Sequence, residues 1–203
     1  MNNILTDALP ESVSVDGTDY PLNTDYRACL KIILAFEDPK LTNYERQAVL
    51  LGNLYGDNPP PDAEKALLSA NWFLNGGDGP SSDNTDGDRL YSFSQDARFI
   101  FSAFRQTHGI DLQSAELHWW EFLALFMDLG AETTFCSLTG LRKRVKSGRA
   151  SKEERQAALE LGDIFDVPDF EVLSLEEMER ARAFDEFVEQ AKKADKQHGK
   201  PKD

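Results

Sequence analysis

The sequence predicts a mainly α fold: a compact helical domain of about six to seven helices, preceded by an N-terminal β-hairpin and followed by a long charged C-terminal helix. Three observations carry this expectation. Apolar residues recur at spacings of three and four in one segment after another, which places them on one face of a helix. Capping signatures of the form Ser/Thr-x-x-Glu open several of those segments. Near the N-terminus, an Asp-Gly pair sits between two short alternating runs, the strongest local signal of a two-residue hairpin turn.

The elements follow in order. In ESVSVDGTDYPL (11–22), a turn centred on Asp16-Gly17 pairs Val13 with Tyr20 and Val15 with Thr18, and Pro21 suits an edge strand. The first helix runs from Asp25 to about Glu37 with Thr24 as cap; Tyr26, Cys29, Leu30, Ile33 and Leu34 form its apolar side. The second opens at the capping box Thr42 to Glu45 and ends near Tyr55. The third follows Pro59-Pro60-Pro61, with Asp62 as cap, Ala66, Leu67, Ala70, Phe73 and Leu74 inward, and Gly76-Gly77 as its stop. GGDGPSSDNTDGD (76–88) has no large apolar residue and reads as a flexible acidic loop.

The fourth helix, about Ser94 to Thr107, carries Ala97, Ile100, Phe101 and Phe104 and stops at His108-Gly109. The fifth is expected from about Leu112 to Leu129, closed by Gly130, and is apolar almost all round. At 100° per residue, Ser114, His118, Glu121 and Asp128 share one polar arc. Trp119 and Trp120 point to different grooves, and both belong to the core. After Thr133 the composition turns basic, and a capping box at Ser151 to Glu154 starts a helix to about Phe165. A further Ser-x-x-Glu at Ser174 opens the charged helix, with Met178, Ala181, Phe184, Phe187 and Val188 as a narrow stripe, before the polar tail. One domain over 1–170, then helix and tail over 171–203, is the expected organisation.

Composition narrows the functional classes. The chain has 203 residues, 40% of them apolar, enough for one domain with its own core. Its 36 acidic against 22 basic residues give a net charge of −14, a field that opposes approach to nucleic acid or to an anionic membrane. No apolar run nears the length of a membrane span, and the N-terminus reads as no export signal. Cys29 and Cys136, without CxxC spacing, fit two reduced thiols better than a disulfide framework or a zinc site.

No phosphate-cradling loop, nucleophile elbow or HExxH is present in the sequence. The acidic loop fails the EF-hand spacing, since positions three, five and twelve from Asp83 are Thr85, Gly87 and Ser94. His118 and Glu121, as His-x-x-Glu on one helix, offer two ligands at most. Residues 141–155 hold seven basic and two acidic residues, a local charge of +5. Arg142, Lys143, Arg144 and Lys146, with Arg149, are therefore the candidate contact for the chain's own acidic surface or for an acidic partner, and His118 with Glu121 a second polar candidate. No cofactor is expected.

The stretches ILTDALPESVSVDGTDYPLNTDYRACLKIILAFED, NWFLNGG, RLYSFSQDARFIFSAFRQTHGIDL and LHWWEFLALF together resemble the gene-product-fifteen family of tailed bacteriophages and prophages, over about residues 3–165. The resemblance implies a siphovirus protein encoded beside the tape-measure gene, acting in virion morphogenesis as a tail assembly chaperone. The implied partner is the phage tape-measure protein, with the tail tube protein, a second tail assembly chaperone or another copy of the chain as further partners. The implied place of action is the host bacterium's cytoplasm, and the protein is expected to be absent from the mature virion. The family offers no catalytic residues. A structural minor tail protein kept in the virion is the main alternative, and a metal-dependent hydrolase built on the acidic loop or on His118 and Glu121 a remote one.

Overall fold

Local chemistry sets the first elements. Asp16 (φ 52°) and Gly17 (φ 78°) take left-handed backbone together, as a type I′ turn requires. They join β1 (Ser12–Val15) to β2 (Thr18–Pro21) in the expected antiparallel register, Val13 opposite Tyr20. The helices are α1 (Tyr26–Glu37), α2 (Asn43–Tyr55), α3 (Ala63–Leu74), α4 (Ala97–His108), α5 (Trp119–Met127), α6 (Thr134–Lys146) and α7 (Lys152–Leu161), followed by a 3₁₀ turn (Gly162–Ile164). This computed structural model describes residues 4–78 and 89–167. All but the first three residues of the acidic loop, and the expected C-terminal helix with its stripe, lie outside the described residues. By internal contacts the chain divides into units 1–169 and 170–203, and all the described residues belong to the first.

Both capping boxes form: Thr42 and Glu45 exchange hydrogen bonds at the start of α2, and Ser151 and Glu154 do so at the start of α7. Asp62 caps α3, and left-handed Gly109 (φ 69°) closes α4. The cap of α1 is Asp25 rather than Thr24, its carboxylate accepting from the Arg27 N–H at 2.7 Å. Thr24 instead lends its carbonyl to the Trp119 N–H at 2.8 Å.

The largest departure from expectation is α5, which begins at Trp119 rather than near Leu112. Residues 111–118 have apolar spacing compatible with a helix, but other partners claim their backbone. The Arg27 guanidinium donates to the carbonyls of Leu112, Gln113 and Ala115. The Tyr26 hydroxyl donates to Leu112 as well. Asp25 and His118 form an antiparallel bridge, and the Tyr26 N–H donates to the Leu117 carbonyl. These tertiary bonds replace the first turns of the expected helix, so the polar arc of Ser114, His118, Glu121 and Asp128 does not exist. At its other end α5 is capped at Asp128, before Gly130.

The core centres on Phe122, which is fully buried. Its ring lies nearly parallel to those of Tyr26 (5.0 Å), Phe104 (5.0 Å), Trp119 (5.5 Å) and Phe126 (6.1 Å), so one side chain ties α1, α4 and α5 together. Trp119 and Trp120 are core, as expected, at 1% and 5% exposure. Their rings pack on different neighbours, Trp119 on Phe122 and Trp120 on Trp72 and Phe73, yet both indoles reach the end of α3. The Trp119 indole N–H donates to the Leu74 carbonyl at 2.9 Å, and that of Trp120 to the neighbouring Phe73 carbonyl at 2.8 Å. The Leu74 carbonyl lies at the end of α3, where the helix supplies no further donor, and Trp120 adds a bond to the Phe73 carbonyl, which also accepts from the Gly76 N–H at 3.1 Å. The chain leaves α3 through Gly77 (φ 88°), where an added Cβ would stand 2.6 Å from the Trp120 ring. The second glycine of NWFLNGG is thus required both by backbone conformation and by space.

Candidate functional site

Two carboxylates that sequence patterning does not single out organise the centre of the molecule. Glu37 ends α1 and is 4% exposed; it accepts from Arg89, from the Ser92 hydroxyl at 2.8 Å, and from the N–H groups of Phe93 and Ser94 at 3.0 and 2.9 Å. A carboxylate at a helix C-terminus is disfavoured by the macrodipole; Arg89 and the two amides offset this. Asp96 is fully buried and faces the equally buried Arg142 of α6 in a two-pronged ion pair, 2.7 and 3.0 Å. Because Asp96 is engaged there and with the Ser92 N–H, it starts α4 without a side-chain cap.

Arg142 uses all five of its donors. Besides the two bonds to Asp96, Nη1 donates to the Leu90 carbonyl at 3.0 Å, Nη2 to Ile164 and Nε to Phe165 at 2.8 Å. The guanidinium therefore satisfies its own burial, the condition under which a buried cation is tolerated. This removes Arg142 from the surface patch expected from the basic run. A signal existed: Leu138, Arg142 and Val145 lie at spacings of four and three, so Arg142 falls on the same face as buried Leu138. Asp96 likewise precedes buried Ile100 by four. Both charges sit on core-facing positions, where the sequence places them among apolar neighbours.

The other basic candidates stay outside. Lys143, Arg144, Lys146 and Arg149 are exposed; Arg144 pairs with Glu154 at 2.8 Å, and the Lys146 ammonium donates to the Arg89 carbonyl at 2.9 Å. His118 and Glu121 are not a matched pair on a helix face. His118 is the N-cap of α5: Nδ1 accepts from the Trp120 N–H at 3.0 Å, and Nε2 lies 3.1 Å from the Pro10 carbonyl. Both ring nitrogens are thus engaged, while Glu121 is exposed in the first turn. Among the described residues no cluster of three or more His, Cys, Asp or Glu is arranged to hold a metal ion, and no helix is long and apolar enough to cross a membrane.

Two open grooves lie on the surface of the described residues. One lies between the hairpin and α3, lined by Val13, Leu68 and Trp72 with three serines. The other lies between α6, α7 and the 3₁₀ turn, lined by Val145, Arg155, Ala158, Leu159, Phe165 and Asp166 among others. What the described residues offer chemically is therefore an aromatic and ionic interior beneath a charged surface with open, partly apolar grooves.

No curated protein and no solved structure matches this chain. A family model described as bacteriophage Gp15 protein matches residues 5–167, a span that contains the hairpin, all seven described helices and both buried carboxylates. On that match, the chain belongs to the bacteriophage Gp15 protein family.

Proposed function

We propose that this protein is a non-catalytic tail assembly chaperone that binds the phage tape-measure protein and keeps it in solution while the tail tube polymerises around it. The observation that carries the reading is the family match over residues 5–167, joined to the tape-measure-linked role that the resemblance of the sequence implies. Physical chemistry supports it: a net charge of −14 makes complexes repel one another, and an apolar client helix needs only a recess with anchors at helical spacing. The exposed cations Lys143, Arg144 and Lys146 are the proposed contacts for acidic client residues, with Glu121 as a further surface position; Arg142 and His118 act inside the fold. The place of action is the cytoplasm of the infected host.

Co-expression with the tape-measure protein tests this directly. The client should partition to the soluble fraction only when this chain is present, and equal precipitation with and without it would refute the proposal. Mass spectrometry of purified particles separates the chaperone from a structural tail component, which would be present in abundant copies.

A further inference from the structure

We propose that α7 and the 3₁₀ turn after it form a latched flap on α6, which opens as a unit while the rest of the fold stays intact. The first observation is how little apolar burial holds α7. Of its ten residues only Ala158 is buried, and Leu159 is 77% exposed. Each of the other six described α-helices buries three or more residues. An element with so little buried apolar area opens at a lower free energy than its neighbours.

The second observation is where the attachment lies instead. The Gln95 side-chain amide donates into a ring of carbonyls from Asp163 (2.7 Å), Ile164 (3.2 Å) and Asp166 (2.7 Å). Arg142 reaches two of the same turn, Ile164 and Phe165. One neutral amide and one guanidinium thus hold the far end of the flap. Its near end joins α6 through Ser147 to Ala150, where left-handed Gly148 (φ 71°) reverses the chain and Ala150 is buried. That geometry is a hinge at one end and a polar latch at the other.

Opening has a defined consequence. It frees two of the five Arg142 donors while the Asp96 ion pair persists, and it uncovers Val145 and Phe165, which line the groove beneath. The open surface would then present apolar area next to Lys143, Arg144 and Lys146, with the edge of Arg142 added to the row.

Amide hydrogen exchange on the full chain, read along a series of low denaturant concentrations, tests the flap. Residues 155–166 should exchange at least tenfold faster than the slowest amides of α1 and α5, with a weaker dependence on denaturant. Gln95→Ala should speed exchange in 155–166 by a further tenfold and leave α1 and α5 unchanged. Exchange of 155–166 only together with α1 and α5, or a Gln95→Ala variant that leaves 155–166 unaltered, would overturn the proposal.

Discussion

Removing the charge of Asp96 is the sharpest test of how this fold is held. The carboxylate and the Arg142 guanidinium are both 0% exposed. Asp96→Asn keeps the shape but leaves a buried cation without its counter-charge, which costs about 3 to 5 kcal/mol when one member of such a pair is removed. Arg142→Met should cost a similar amount through the stranded carboxylate. It also deprives the Leu90, Ile164 and Phe165 carbonyls of their donor, at about 1 kcal/mol for each that water does not reach.

The double variant Asp96→Leu with Arg142→Met removes both charges together. It should therefore lose less than the two singles combined, by several kcal/mol, because an apolar pair often substitutes for a buried ion pair at little cost. The assay is urea unfolding followed by tryptophan fluorescence, with Trp119 and Trp120 buried in the core as reporters, and the slope checked for constancy across variants. Additivity of the two single losses to within about 0.5 kcal/mol would show no coupling and refute the account. So would an Asp96→Asn variant destabilised by less than about 1 kcal/mol.

Other outcomes follow from single features. Trp120→Ala should lose about 3 to 5 kcal/mol in the same assay, since the indole is buried and its N–H donates to the Phe73 carbonyl. At high pH, burial pushes the Tyr55 hydroxyl from 10.0 up to about 12. Its contribution to stability is thus complete below pH 10 and fades between 10 and 12, and Tyr55→Phe should flatten that part of the stability profile. Burial, with Asp25 nearby, pushes the Cys29 thiol to about 12. A thiol reagent at pH 8 should accordingly modify Cys136 well before Cys29. In acid the sign reverses: hydrogen bonds from Thr42, its backbone N–H first, lower the Glu45 carboxyl, and the Ser151 backbone N–H does the same for Glu154, assisted by Arg144. Their capping contribution is present above the ordinary carboxylate range and is lost as pH falls through it, so amide exchange at the starts of α2 and α7 should rise first there.

What was legible in the sequence was local chemistry. Asp16-Gly17 fixes a turn within two residues, Thr42 and Glu45 satisfy each other within one helical turn, and Pro and Gly bracket α3, so none of these needs the rest of the chain. What was illegible depends on residues far apart. The start of α5 is displaced because Arg27 and Tyr26 capture carbonyls more than eighty positions away, which outweighs the helical spacing of 112–118. The cationic run was visible as composition, but a count of charges cannot tell that Arg142 turns inward to Asp96 while Lys143 stays outside. Only its register with Leu138 and Val145 hints at this. The tryptophans were placed correctly in the core, and their shared task at the end of α3 was hidden because it needs the position of a second helix.

The residues that make the sequence recognisable are, one after another, the ones that hold the scaffold. In NTDYR, Asp25 caps α1, and Tyr26 and Arg27 tether the 112–115 segment. In YSFSQD, Ser92 bonds Glu37, Asp96 bonds Arg142 and Gln95 latches the final turn. In LHWW, His118 caps α5 and both indoles bond the end of α3. A loss of function after substitution of these side chains would therefore be confounded with damage to the scaffold. Recognition must be tested on side chains that the scaffold does not use. Lys143→Glu with Arg149→Glu alters two exposed cations, where surface changes shift stability by about 0.5 kcal/mol or less. If this face meets acidic client residues, that variant should keep its urea midpoint and lose most of its ability to hold the tape-measure protein soluble at low salt. Full retention of that ability would place the client contact on another face, with the grooves beside α3 and α7 next to be probed through Leu68 and Leu159.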